Sequence, residues 1–255
     1  VGTRSQQPQD PATDNPMYNL CLLHYNSEGQ LIHQDVQTND CDGVPQLSVS
    51  WSPTLTPGSS ETLCLVANMQ DAYPAPWPET LPMLKETCVE LPIQNGGLIK
   101  ERKMYMFGYY EGAIESGQAI QIMMGRMAST LKLVISAADA STTYTVTKVE
   151  IRKPARKTYF FPHPSTADSF TGSGENLFVE NLNSSVSATN PLVLYYQTGE
   201  NISPSEVNRT NVQITAADKT YTVALGADGP GIASEVRNYS LYRNNNYTFN
   251  IKLSN

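Results

Sequence analysis

Apolar and polar residues alternate over short stretches along most of this 255-residue chain, the period of a strand buried on one face. The cleanest case is Asn246–Leu253. Tyr247, Phe249, Ile251 and Leu253 alternate there with Thr248, Asn250 and Lys252. The pattern predicts a strand that either faces a sandwich core or serves as a donor to another chain. Leu131, Leu133 and Ile135 alternate with Lys132 and Val134 in a strand over Ser129–Ile135. Over Thr142–Ile151, Tyr144, Val146 and Lys148 share one face, and Thr145, Thr147, Val149 and Ile151 the other. The same reading predicts strands at Met17–Tyr25, Gln30–Val36, Gln46–Trp51, Glu61–Asn68, Lys103–Tyr110 and Gln118–Met124. In the second half it predicts Lys157–Phe161, Asn176–Asn181, Pro191–Tyr196, Asn211–Ala217, Lys219–Leu225 and Asn238–Tyr242. Ser27-Glu28-Gly29 and Asn244-Asn245 supply turns, because Gly and Asn tolerate positive φ.

The segments between these strands set the organisation. Residues 1–16 are rich in Gln, Pro, Asp and Thr without apolar alternation and predict a tail. Asp71–Leu91 carries Pro74, Pro76, Pro78 and Pro82, so it is a long loop rather than a central strand, with a short helical turn at Glu79–Lys85. Arg152–Lys157 is basic and interrupted by Pro154, and predicts a solvated linker. The expected fold class is all-β. Its expected parts are a tail or end of a first strand over 1–16, one sandwich over 17–153 and another over 154–255.

Composition narrows the function. The chain holds 17 Lys and Arg against 24 Asp and Glu, a net charge of -7, which argues against a nucleic-acid partner. No run of 18 apolar residues is present to span a membrane as a helix. His24, His33 and His163 are too scattered for a hydrolase or metal constellation. No phosphate loop, nucleophile elbow or metalloprotease motif occurs, so no catalytic residue, metal or cofactor is expected. Asp40 with Asp42 reads as a solvated acidic turn, and Glu111 with Glu115 cannot be matched from sequence to a glycosidase geometry. Cys21 and Cys64 sit in apolar runs as small buried residues. Cys41 and Cys88 are candidates for a bridge in an exported chain, although four cysteines leave three full pairings open. Trp77 and Tyr73 either form an exposed aromatic contact, together with Tyr109 and Tyr110, or Trp77 plugs the open end of the first sandwich. The sequons at Asn183, Asn201, Asn208, Asn238 and Asn246 mark glycan acceptors only in a eukaryotic secreted protein.

Four segments, taken in order, resemble the fimbrillin-like (Mfa-like) family of Bacteroidales fimbrial subunits. Val1-Gly2-Thr3-Arg4-Ser5 resembles the end of that family's first strand. Asn19–Gly29 resembles its apolar strand followed by a glycine turn. Met104–Gly108, with Ile120–Ile135 containing Arg126 and Ala128, resembles the core of its first domain. Arg243-Asn244 with Tyr247 and Phe249 resembles its "Arg-Asn-x-x-Tyr" final strand. The resemblance implies two tandem transthyretin-like (Greek-key) sandwiches in a non-enzymatic, structural or adhesive fimbrial subunit. It implies export to the cell surface and outer membrane, with membrane contact only through an N-terminal lipid anchor outside this sequence. It also implies cleavage after an arginine near the first strand, for which Arg4 and Ser5 are the candidate site, and partnership with other subunits by β-strand addition. Family stalk subunits carry further strand material after the final motif, whereas this sequence stops at Leu253-Ser254-Asn255, so a tip, anchor or accessory role is expected. The rival expectation is a surface lipoprotein that binds glycan or protein with the same fold.

Overall fold

The computed structural model describes residues 2–5, 17–37, 49–69, 72–91, 104–163, 177–202, 208–226 and 238–254. They form fifteen strands and one short helix, an all-β architecture in several sheets.

The first sheet has the order β3-β2-β4-β6-β7. Its members are β2 (Leu20–Tyr25), β3 (Leu31–Gln37), β4 (Gly58–Ala67), β6 (Met106–Ile114) and β7 (Gly125–Arg126), each antiparallel to its neighbours. Every residue of β2 is buried, as its doubly apolar sequence requires. On one face Cys21, Leu23 and Tyr25 meet Cys64, Val66 and Phe107. This face is covered by the proline-rich segment, by helix α1 (Leu81–Lys85) and by a two-stranded sheet of β5 (Cys88–Glu90) with β10 (Lys157–Tyr159). Thr80 caps α1 by accepting a hydrogen bond from the Met83 amide at 3.3 Å, which accounts for the predicted helical turn.

Among the described residues the opposite face is covered without a second ladder. Trp51 and Leu55 pack on Leu22 and Leu63, together with Ile120 and Ile122. Gln118–Met124 therefore alternates as predicted but is not a strand. Ile120, Ile122 and Met124 pack on the sheet while Met123 is exposed and the backbone passes over β6. Gly108 permits that passage, because a Cβ there would collide with the Met123 carbonyl. Val49–Trp51 likewise carries no strand, and residues 46–48 lie outside the described set.

Two further sheets enclose the second core. One has the order β1-β15-β8-β12, the other β11-β9-β13-β14. Their strands are β1 (Gly2–Ser5), β8 (Ser129–Ala137), β9 (Tyr144–Arg152), β11 (Leu177–Val186), β12 (Leu192–Thr198), β13 (Asn211–Ala216), β14 (Lys219–Ala224) and β15 (Asn246–Leu253). All neighbours are antiparallel except β15 and β8, which run parallel. Inward residues of both sheets form one core that includes Leu131, Leu133, Val149, Ile151, Tyr196, Ile214 and Phe249. A register irregularity opposite Thr215 and Ala216 lets Val146, Val149 and Ile151 all point inward. That bulge is why the two-faced reading of Thr142–Ile151 split these residues.

These pairings bear on three expectations. Strands β8 and β9, assigned by the sequence to the first sandwich, belong to the second core, so the division at 153/154 does not separate the sheets. Of the two readings of 1–16, tail or end of a first strand, residues 2–5 take the strand, at the edge beside β15. Asn238–Tyr242 contributes only an isolated bridge, Leu241 to Asn201.

Candidate functional site

The strand singled out by its alternation lies at the centre of a sheet. β15 sits between β1 and β8, with Tyr247, Phe249, Ile251 and Leu253 all in the second core. Phe249 is 1% exposed. The Tyr247 hydroxyl accepts a hydrogen bond from the Tyr242 amide at 2.9 Å, which fixes the entry to the strand. The turn before it runs as predicted through a positive φ at Asn244, 57°.

β1 pairs antiparallel along the other side of β15, with Gly2 opposite Phe249, Arg4 opposite Tyr247 and Ser5 opposite Asn246. The candidate cleavage bond Arg4–Ser5 is thus part of a hydrogen-bonded strand, where an accessible, extended tail was expected. The pairing is only four residues long and lies at the sheet edge. The strand it covers would otherwise present a row of unpaired backbone groups.

The aromatic candidates divide. Trp77 is buried, 7% exposed, and packs between Tyr73 at 5.4 Å and Phe160 at 5.6 Å, so it closes the first core. Tyr73 is half-buried, and its hydroxyl donates to Asn19 Oδ1 at 3.1 Å. Burial raises its pKa. The exposed contact expected of Tyr73 and Trp77 is therefore corrected to a structural role. Tyr109 alone of the four is well exposed, against Phe161 at 4.8 Å, while the Tyr110 hydroxyl donates to the Ala113 carbonyl.

Among the described residues no three His, Cys, Asp or Glu side chains converge as metal ligands. Cys21 and Cys64 are buried free thiols. Burial, with the Asp35 charge second, pushes Cys21 up to about 12, and burial raises Cys64 as well. Cys88 is half-buried on β5, and Cys41, Asp40 and Asp42 lie outside the described residues. Glu111 instead meets Lys85 at 3.7 Å. His24 and Glu61 form a buried pair at 2.9 Å across β2 and β4. Of the sequons, Asn201 is fully buried and donates to Thr210 Oγ1, whereas Asn183 is exposed.

Sequence reasoning missed the seam between the two cores. The basic run read as a solvated linker holds buried Pro154 and Ala155. The Ala155 carbonyl accepts from the Gly199 amide at 2.6 Å and from Thr198 Oγ1 at 3.0 Å. Arg243 ties both cores. Its Nε donates to Glu200 Oε2 at 2.6 Å, and its terminal nitrogens reach the carbonyls of Phe160 and Phe161 at 2.8 and 3.4 Å. Arg126 donates to Asn246 Oδ1 at 2.8 Å, and its amide to Asn244 Oδ1 at 3.2 Å. The sequence signals for this seam are Arg126 and the Arg243-Asn244 pair, which the resemblance singled out.

No family model matches the chain, and the search of curated proteins gives no match. The fold does match solved structures. The tip fimbrial protein Mfa3 of Porphyromonas gingivalis, with a C-terminal truncation, aligns with a TM-score of 0.64 at 16% identity, over 100% of this chain and 94% of that one. A fimbrilin, FimA, of Porphyromonas gingivalis aligns with a TM-score of 0.60 at 14% identity, over 99% of this chain and 88% of that one. A proposed cell-adhesion protein of Parabacteroides distasonis aligns with a TM-score of 0.58 at 16% identity, over 100% and 90%. The fold is thus that of Bacteroidales fimbrial proteins and adhesins, in agreement with the resemblance read from the sequence.

Proposed function

We propose that the chain is a structural or adhesive subunit of a bacterial cell-surface fimbria, of tip, anchor or accessory type, that joins neighbouring subunits by β-strand addition. The two cores are read as the tandem transthyretin-like units of such subunits, and the protein as exported, anchored by lipid at the outer membrane and without catalytic function. The observation that carries the reading is the four-residue edge strand β1 on the core strand β15. A short edge strand with few backbone bonds is replaceable, and its departure leaves β15 ready to accept a strand from a neighbour. The relevant groove then belongs to the second core. The rival reading, a glycan-binding surface module, has less support, because Trp77 and Tyr73 form no exposed platform.

Native digestion with trypsin tests the processing step. β1 must leave β15 before the Arg4–Ser5 bond can enter a protease cleft, so cleavage after Arg4 should be slow, absent in Arg4→Gln, and followed by oligomer formation. Cleavage that leaves the protein monomeric in the presence of partner subunits would remove the activation role from β1.

A further inference from the structure

A second edge, on the far side of the same sheet, invites a different partner. β12 ends the order β1-β15-β8-β12 and pairs with β8 without a register break from Leu192 to Thr198. Along its other side nothing among the described residues pairs with it. Native edges are blunted by charge, bulges or shortness, and the other edge strands show such devices. β3 carries His33 and Asp35, β11 has Glu180 and a bulge between Asn181 and Ser184, and β14 opens on Lys219 and turns Thr220 and Thr222 outward. β1 is four residues long and β7 two. β12 has no charged residue, no internal proline and no bulge, and it exposes Val193 and Tyr195 at 39% and 44%.

We propose that this edge pairs with the same edge of a second copy, β12 against β12 in antiparallel order about a two-fold axis. The pairing joins two four-stranded sheets into one of eight and goes beyond the strand-addition reading, on which it does not depend. The strand is self-complementary. With the axis at Leu194, Val193 of each copy faces Tyr195 of the other, an aromatic to β-branched pair of the kind that stabilises sheets. Beside this exposed pair Lys132 Nζ lies 5.7 Å from the Tyr195 ring centre, and on the core side Glu180 Oε2 accepts a hydrogen bond from the Tyr196 hydroxyl at 3.1 Å.

Sedimentation equilibrium over a wide concentration range tests the proposal on the full chain with β1 in place. The wild type should show a monomer–dimer equilibrium. The double variant Val193→Lys/Tyr195→Lys, which sets cations opposite cations on an exposed face, should be monomeric with unchanged circular dichroism. Thr222→Lys, on the outer face of β14, should dimerise as the wild type does. A wild type that stays monomeric at every concentration, or a dimer that survives the double variant, overturns the proposal. Strand-addition assembly would instead give open-ended oligomers indifferent to Val193→Lys/Tyr195→Lys, so the two readings fail separately.

Discussion

Phe249 shows how far a single residue's role follows from its neighbours. Placed in a run with period two, it has to face either a core or a foreign groove, and its near-complete burial against the inward faces of both sheets decides for the core. Truncating so large a buried ring removes its transfer energy and leaves a cavity. Phe249→Ala should therefore lower stability by about 3–5 kcal/mol in urea unfolding. A loss under about 1 kcal/mol would mean that the strand is not packed as described. Trp77 teaches the opposite lesson. Its proline-rich surroundings suggest a rigid exposed loop, yet prolines fix backbone direction and not side-chain exposure. The sheet below it leaves a hollow between Tyr73 and Phe160 that an indole fills.

Elements were legible where pairing and facing coincide. β2, β4, β8, β13 and β15 lie close to where alternation and turn residues place them. Gln118–Met124 was not, because alternation reports which side chains are buried and says nothing about a ladder partner. Ile120 and Ile122 cover the first sheet from an extended segment that has none. Gly108 is what permits that close approach. Gly108→Ala should cost about 1–3 kcal/mol from overpacking and should raise amide exchange across residues 118–124 while β13 stays protected. Unchanged exchange there would show that the segment is not held by this contact. Sheet membership was illegible for β8 and β9 for a related reason: the partners of β8 lie in the chain's last third, and local pattern carries no information about them.

At the scale of the whole molecule, the two cores are joined by buried polar contacts where a solvated linker was expected. Arg243 and Glu200 are both largely buried, and removing one leaves the other charge without its partner. Arg243→Ala should cost about 3–5 kcal/mol and broaden the distance distribution between spin labels placed on β3 and β11. A variant as stable and as narrow in distance as the wild type would remove the seam from the account. The proposed fimbrial role places the strand-accepting edge on the second core. That role depends on β15 having a replaceable partner, and hydrogen exchange on β15 tests this most directly. In a chain begun at Gln6, the amides of β15 that face β1 should exchange fast. Saturating peptide of sequence Val1–Ser5 should restore their protection, while β8 and β13 remain protected throughout. Exchange on β15 that is unchanged by removing residues 1–5 would contradict the account.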